Sequence, residues 1–184
     1  MSRTNAKTLV TMSLILAMAM VMSFTGCSRS PLESVDDNSP VVLSRVSRTA
    51  SGASLSPVNA YTEAQISAAT GGQLTLLDVV LDVPAGAVPN DTLFSIFIPD
   101  DEKFFNEFGT DGLVFDKPVK VTMSYRGADL SNVNENTIRI GYLNENTGEW
   151  EDIECRVDHQ NKVVTAWLNH FSAYGLISDG RGGE

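Results

Sequence analysis

The residues with the clearest potential for chemistry are a histidine and a serine near the C-terminus, in the stretch Asn169 to Ile177. His170 is one of only two histidines in the chain, and Ser172 follows it two positions later. Residues two apart in a β-strand point to the same face, so these side chains could meet across the Phe171-Ser172 peptide bond. The spacing has two interpretations: a detail of how a last strand closes a sandwich, or the apparatus of a self-cleavage reaction.

Other catalytic and metal-binding patterns are weaker. His159 lies in a polar turn, and no serine has the glycine pattern of a nucleophile elbow, so a separate hydrolase is not expected. Cys155 lies among strand-like residues as a small hydrophobe, and no cysteine spacing suggests zinc. Calcium ligands are a further interpretation of four loop acids, but they lack EF-hand spacing, so a solvated acidic loop is favoured over a metal site: Asp100, Asp101, Glu102 and Asp111.

Two groups of aromatic residues could form binding surfaces. Trp150 and Trp167 could make a flat platform for sugar stacking, but both have apolar strand neighbours, which favours core positions. Phe104, Phe105 and Phe108 cluster in the acidic segment from 100 to 109, which we expect to be a loop with one helical turn. Exposed aromatic residues in a loop often mark a contact surface. Packing over one end of the domain is the favoured interpretation, and binding is the alternative.

The N-terminus has the pattern of an export signal. Arg3 and Lys7 precede an apolar run from Leu9 to Phe24, which is typical of a secretory signal peptide. The run ends in Phe24-Thr25-Gly26-Cys27, which resembles a bacterial lipobox, in which the cysteine is lipidated and becomes the first mature residue. We expect residues 1–26 to be a lipoprotein signal peptide and Cys27 to carry the lipid. The alternatives are a transmembrane anchor or a signal cut elsewhere, but the run is shorter than the ~20 residues of a spanning helix.

The segment after the cysteine is expected to be a tether. Residues 27–60 are rich in serine and proline, with at most a short strand from Val41 to Val46, so a flexible linker is predicted between lipid and domain. By analogy with lipoproteins of bacteria with two membranes, Ser28 after the cysteine gives no aspartate retention signal, which favours the outer membrane. Residues 179–184 are expected to be a disordered tail.

The charge of the chain excludes one class of partner. Beyond Cys27 there are 11 basic and 23 acidic residues, a balance of −12, and residues from Tyr61 onward account for all of it with 8 basic and 20 acidic. Such a surface repels phosphate backbones, and the sequence has no basic stripe. Nucleic acid is therefore not an expected partner.

The remaining residues have the regularly spaced turn signals of an all-β fold. Eight short apolar or alternating runs recur at roughly ten-residue spacing between turn signals, which predicts an antiparallel β-sandwich of about eight strands over residues 61–178. The expected strands are Glu63 to Ala68, Gln73 to Val83, Thr92 to Ile98, Val119 to Tyr125, Thr137 to Leu143, Trp150 to Val157, Lys162 to Leu168 and His170 to Ile177.

Motifs in this region resemble the ZU-five domain of zonula occludens proteins, netrin receptors and ankyrins. They are Gly71-Gly72, Val83-Pro84-Ala85-Gly86-Ala87-Val88, Phe115-Asp116-Lys117-Pro118-Val119, Asn146-Thr147-Gly148-Glu149-Trp150 and His170-Phe171-Ser172-Ala173-Tyr174. The glycine and proline motifs are turn chemistry, so their order and spacing carry the likeness. The resemblance implies a β-sandwich and, in most members, protein interaction rather than catalysis.

The resemblance also gives the self-cleavage hypothesis its residues. Members of a death-domain scaffold type are similar at His170-Phe171-Ser172 and cut themselves between the phenylalanine and the serine. Carried over, Ser172 would attack the carbonyl of Phe171, and His170 would take the hydroxyl proton and then assist the leaving amine. This chemistry needs a strained peptide bond and a donor for the developing oxyanion.

The sequence as a whole predicts a lipid-anchored protein of the bacterial cell envelope, held on the membrane through Cys27 without a spanning segment. The expected work of the sandwich is to bind another envelope or extracellular macromolecule, with no cofactor and no metal. Two alternatives remain open: an autoprocessing domain cut between Phe171 and Ser172, and a glycan- or calcium-binding module.

Overall fold

The computed structural model describes residues 40–46, 49–50, 53–54, 58–110 and 112–180. The expected signal peptide (1–26), the expected lipidation site Cys27, most of the expected tether, Asp111 and the last tail residues (181–184) lie outside the described residues. No helix within the described ranges is both long and apolar enough to cross a lipid bilayer.

Two antiparallel β-sheets pack around one apolar core, which confirms the predicted all-β sandwich. Among the described residues, the larger sheet has seven strands and the smaller sheet has five. The larger sheet runs in the order β11 (Glu149–Asp152), β10 (Arg139–Asn144), β14 (Ala173–Ser178), β8 (Phe105–Gly109), β7 (Thr92–Ile98) and β4 (Ala60–Ile66), and β1 (Val41–Val42) also pairs with β14. The smaller sheet runs β12 (Cys155–Asp158), β13 (Val163–His170), β9 (Val114–Ser124), β6 (Val79–Val83) and β5 (Gly72–Leu76). A separate hairpin joins β2 (Thr49–Ala50) to β3 (Ala53–Ser54), and a 3-10 turn spans Glu135–Thr137.

The sandwich has more strands than the eight predicted because two expected strands are each divided. The run from Gln73 to Val83 is a hairpin of β5 and β6, which turns at Leu77 with a positive φ of 51°. The run from Trp150 to Val157 separates at Ile153 into β11 and β12, which belong to different sheets. Neither break contains a glycine or proline to signal a turn.

The other two additional strands lie outside the eight expected strands, one of them in the stretch from Val41 to Val46, where at most a short strand was expected. The acidic segment predicted as a loop with a helical turn contains β8, which pairs with β7 and β14. The segment predicted as tether contains β1. In β8 the alternation of Asn106 and Phe108 inward with Phe105 and Glu107 outward is a two-residue period, which an acidic and aromatic composition obscured.

Residues 40–46, which we call the strap, belong to the sandwich rather than to a flexible tether. Val42 pairs with Ile177 of β14, and the side chain of Leu43 is buried in the core. Arg45 then crosses to the hairpin of the smaller sheet, where its Nη2 lies 2.6 Å from Asp78 Oδ1. Its guanidinium also lies 4.1 Å from the centre of the Phe104 ring. Burial of Leu43 and the paired charge of Arg45 fix this segment on the domain.

The chain changes sheets between β13 and β14. His170 is the last residue of β13 in the smaller sheet, Phe171 and Ser172 form the crossing, and Ala173 begins β14 in the larger sheet. The predicted last strand from His170 to Ile177 is therefore wrong in its first three residues. The premise that His170 and Ser172 share a face of one strand fails with it, because the two residues lie on either side of a corner.

Candidate functional site

The His170 ring is held by its own neighbours at this corner. Tyr174 Oη donates a hydrogen bond to the backbone carbonyl of His170 at 3.1 Å and lies 3.5 Å from the ring Nδ1. Burial raises the pKa of the Tyr174 hydroxyl, so this group stays a donor at neutral pH. The ring of Tyr142 packs edge-on against the imidazole at 5.4 Å. These contacts fix the imidazole against the end of the larger sheet.

The Phe171-Ser172 bond lies between a core anchor and a surface. The Phe171 ring is 4.7 Å from Phe115 and 5.3 Å from Phe94, centre to centre, and the side chain is buried. The Ser172 carbonyl accepts a hydrogen bond from the Phe108 N–H at 3.0 Å. Within the described residues, the His170 ring contacts the Phe171 carbonyl at 3.5 Å, and no hydrogen bond joins it to the Ser172 hydroxyl. Self-cleavage therefore stays a prediction, and His170, Phe171 and Ser172 each make contacts that stabilise the fold.

The three phenylalanines proposed as a contact surface have different positions. Phe104 and Phe108 are each 2% exposed and belong to the core, which agrees with the packing interpretation and leaves them no free surface. Phe105 is half-buried on the outer side of β8, and its ring meets that of Trp150 edge-on at 6.2 Å. Of the three, Phe105 is the one whose side chain is partly exposed.

The two tryptophans cannot form one platform because they belong to different sheets. Trp150 lies on β11 of the larger sheet and Trp167 on β13 of the smaller sheet. Trp167 is 45% exposed, and the guanidinium of Arg156 lies 5.1 Å from its ring centre. Trp150 is half-buried but is not part of the core cluster, so the expectation of a core position is wrong for both tryptophans.

The outer side of the larger sheet carries four aromatic side chains, which we call the aromatic face: Tyr61, Phe97, Phe105 and Trp150. Directly paired residues of neighbouring strands point to the same side of a sheet. Tyr61 pairs with Phe97, Phe97 pairs with Glu107, and Glu107 pairs with Ala173, so all of them point the same way. The residues that alternate with Phe97 on β7 are Phe94, Ile96 and Ile98, which are fully buried, so Phe97 points away from the core. Tyr61 is 57% exposed, and the other three aromatic residues are half-buried.

Two glycines seat Trp150 on this face. Gly141 of β10 pairs directly with Gly175 of β14, and Gly175 pairs with Phe105 of β8. A Cβ on Gly141 would lie 3.0 Å from the indole Cε3, and one on Gly175 would lie 2.9 Å from Cη2. The Trp150 indole can therefore extend from the edge strand β11 across the outer side of β10 and β14, because both glycine positions lack a side chain. The aromatic face therefore consists of two groups on the same side of the sheet: Trp150 meets Phe105, and Phe97 pairs with Tyr61, with Glu107 opposite Phe97 on β8.

A cleft of about 230 Å³ opens on the same side of the sheet. Its lining combines an aromatic ring, two hydroxyls and two carboxylates, from Phe97, Ser95, Ser172, Glu107 and Glu145. Glu107 comes from β8, and Glu145 comes from the turn that joins β10 to β11. Neither carboxylate forms an ion pair with another described residue. Ser172 thus contributes to a surface cleft, while Phe171 beside it fills the core.

A polar cluster at the end of the smaller sheet holds separate segments of the chain together. Tyr125 Oη lies 3.2 Å from both Glu135 Oε1 and His159 Nδ1, and Lys162 binds the same carboxylate oxygen. Burial, and then the Glu135 carboxylate, raise the pKa of Tyr125 to about 12, and the hydrogen bond from Lys162 lowers the pKa of Glu135. His159, expected to be a solvated turn residue, joins this cluster. The cluster ties the 3-10 turn, β9 and the turn after β12 together.

Among the described residues, no group of three or more His, Cys, Asp or Glu side chains converges, and Asp111, one of the four loop acids, lies outside that part of the chain. Asp101 is buried, its Oδ1 accepts a hydrogen bond from the Val58 N–H at 3.0 Å, and Asp100 Oδ1 accepts one from the Glu102 N–H. Cys155 is half-buried and packs against the core with a free thiol.

Sequence reasoning missed Tyr61, Phe97, Glu107 and Glu145. The sequence of β7 does indicate the outward position of Phe97, because Phe97 alternates with the apolar residues Phe94, Ile96 and Ile98 and lies two positions after the polar Ser95. What local alternation does not contain is the pairing of β4, β7, β8 and β14, which sets these side chains beside one another.

Comparison with protein-family models finds no match for this chain, and comparison with curated proteins finds no similar sequence. The ZU-five resemblance therefore stays a prediction from the motifs.

Proposed function

We propose that this chain is a lipid-anchored protein of the bacterial cell envelope, attached to the outer membrane through Cys27, whose sandwich binds another macromolecule of the envelope or the extracellular space. The signal peptide pattern and the likeness to a lipobox support the anchor, and a short serine- and proline-rich tether precedes the strap. The sandwich is then displayed off the membrane surface.

The single observation that carries the binding proposal is the aromatic face. Apolar ring surface on the solvent side of a sheet gains free energy when a partner covers it, at roughly 25 cal/mol per Å². Aromatic residues also dominate the energetics of many protein interfaces. The glycine pair under Trp150 shows how the sheet provides room for this ring on its outer side.

Site-specific photocrosslinking in intact cells tests this proposal. A photoreactive phenylalanine analogue at Leu93, which is exposed on the same side of β7 as Phe97 and four residues from it, should form a discrete adduct with one partner. The same analogue at Trp167 is the matched control, because that position is equally exposed on the opposite sheet. Absence of a Leu93 adduct, or equal adducts from both positions, would overturn the assignment of the face.

The anchor is tested separately. Metabolic labelling with an alkyne-bearing fatty acid should tag the wild-type chain and leave Cys27→Ser unlabelled, with the protein lost from the membrane fraction. Equal labelling of both chains would remove the lipid anchor from the account without affecting the crosslinking result.

A further inference from the structure

We propose that the cleft beside the aromatic face binds a cationic side chain, lysine or arginine, of a protein partner. This inference rests on the proposed binding function and specifies the chemistry of the partner. It is carried by the size of the cleft, its lining and its uncompensated charge.

The size of the cleft suits one side chain rather than a whole small molecule. Its volume of about 230 Å³ lies below the roughly 300–1,000 Å³ of pockets that enclose a complete ligand. Gly109 keeps part of the wall open, because a Cβ there would lie 2.3 Å from Ser95 Oγ. The cleft adjoins the aromatic face through Phe97, so a chain that covers the face can insert one residue into the cleft.

The lining of the cleft matches an ammonium or guanidinium group. Glu107 and Glu145 supply carboxylate oxygens, and the hydroxyls of Ser95 and Ser172 supply further acceptors. Hydrogen bonds between a charged donor and a carboxylate are shorter and stronger than neutral ones. The ring of Phe97 can hold a cation within about 6 Å of its centre. No lysine, arginine or histidine lines the cleft, so the described residues leave its negative charge uncompensated.

The charge of the whole domain favours the same partner. Residues from Tyr61 onward carry a balance of −12, which raises the local concentration of basic proteins and repels polyanions. Complementary charge of this kind raises association rates and falls with ionic strength. A neutral glycan could use the aromatic rings but would gain no Coulombic attraction from the two exposed carboxylates, so the cation is the better match.

The test uses a cation and its uncharged analogue as probes. Amide shifts of the isotope-labelled full chain in neutral detergent are recorded during titration with n-butylguanidinium and, separately, with n-butylurea. We expect saturable shifts at Gly109, Ser172 and Ala173 with the cation and none with the urea. Glu107→Gln should weaken the binding by about fivefold, whereas Glu154→Gln, which changes the same charge at an exposed position outside the cleft, should not.

Several results would overturn the inference. Equal shifts with n-butylurea would show that charge is not recognised, and absence of shifts at millimolar n-butylguanidinium would show that the cleft does not bind a cation. Shifts with methyl glucoside but not with the cation would assign the cleft to a sugar. A dimer by light scattering that protects the cleft residues would assign it to a second copy of the chain. If Leu93 adducts persist in any of these cases, this inference alone fails; if they are absent while the cation binds, the proposed function fails.

Discussion

Removal of the Arg45 guanidinium should loosen the strap and destabilise the whole sandwich. Arg45 Nη2 lies 2.6 Å from Asp78 Oδ1, and Nη1 donates to the carbonyls of Asp101 and Lys103 at 2.8 and 2.5 Å. The side chains of Arg45 and Asp78 are only 14% and 20% exposed. Loss of one partner of a buried ion pair costs about 3–5 kcal/mol, because the other charge is left uncompensated. Since water still reaches both groups, we expect Arg45→Ala to lower the free energy of unfolding by about 2–3 kcal/mol.

Urea unfolding followed by tryptophan fluorescence measures this change, and a thermal scan should show a Tm lower by roughly 6–12 °C for a domain of this size. A double-mutant cycle with Asp78→Ala should give a coupling of about 1 kcal/mol or more. Arg126→Ala is the control, because that side chain is exposed and donates to the Asn161 carbonyl at 3.0 Å, so its loss should cost less than about 0.5 kcal/mol. Equal effects of Arg45→Ala and Arg126→Ala would refute the claim that the strap is part of the folded unit.

Three further predictions concern the face, the polar cluster and the crossing. Gly175→Ala should lower the free energy of unfolding in urea by about 1–3 kcal/mol and shift tryptophan emission, because the added methyl group displaces the Trp150 indole. Gly127→Ala is the control, because nothing lies within 4 Å of its Cβ, and it should cost little. Equal losses in the two variants would contradict the packing of Trp150 on Gly175. The pKa of Tyr125 is raised from 10.0 to about 12, so its contribution to stability is complete below pH 10 and is lost as the pH rises towards 12. In Tyr125→Phe, the free energy of unfolding should therefore depend less on pH between 10 and 12. An unchanged pH dependence would contradict this. If self-cleavage occurs, the intact mass should show loss of residues 172–184, and Ser172→Ala should stop it; one unchanged mass after prolonged incubation would reject it.

The fold was predictable because its signals are local. Alternation in the runs from Thr92 and from Val119, with turn residues between them, is sufficient to indicate an antiparallel sandwich. The divided strands were not predictable, because Leu77 turns the chain at a positive φ that leucine rarely adopts. The short strand allowed between Val41 and Val46 is present as β1, but its pairing was not predictable, because its partner β14 lies more than a hundred residues later.

The candidate site was less accessible to sequence reasoning than the fold. Residue type alone singles out His170 and Ser172, whereas the structure separates them at a sheet crossing. The outward position of Phe97 could have been read from its phase with Ser95. Its neighbours could not, since Glu107 and Glu145 reach the cleft through long-range pairing and through a hairpin turn.

The most direct measurement of the central claim is the yield of the Leu93 adduct in cells that carry Tyr61→Ser and Phe97→Ser together. These substitutions remove ring surface from the solvent side of the sheet and leave the inward-facing side chains of β4 and β7 unchanged. We expect the adduct to be lost while the protein level stays close to wild type, and Trp167→Ser to leave the adduct intact. An undiminished adduct in the double variant would contradict the claim that the aromatic face binds the partner.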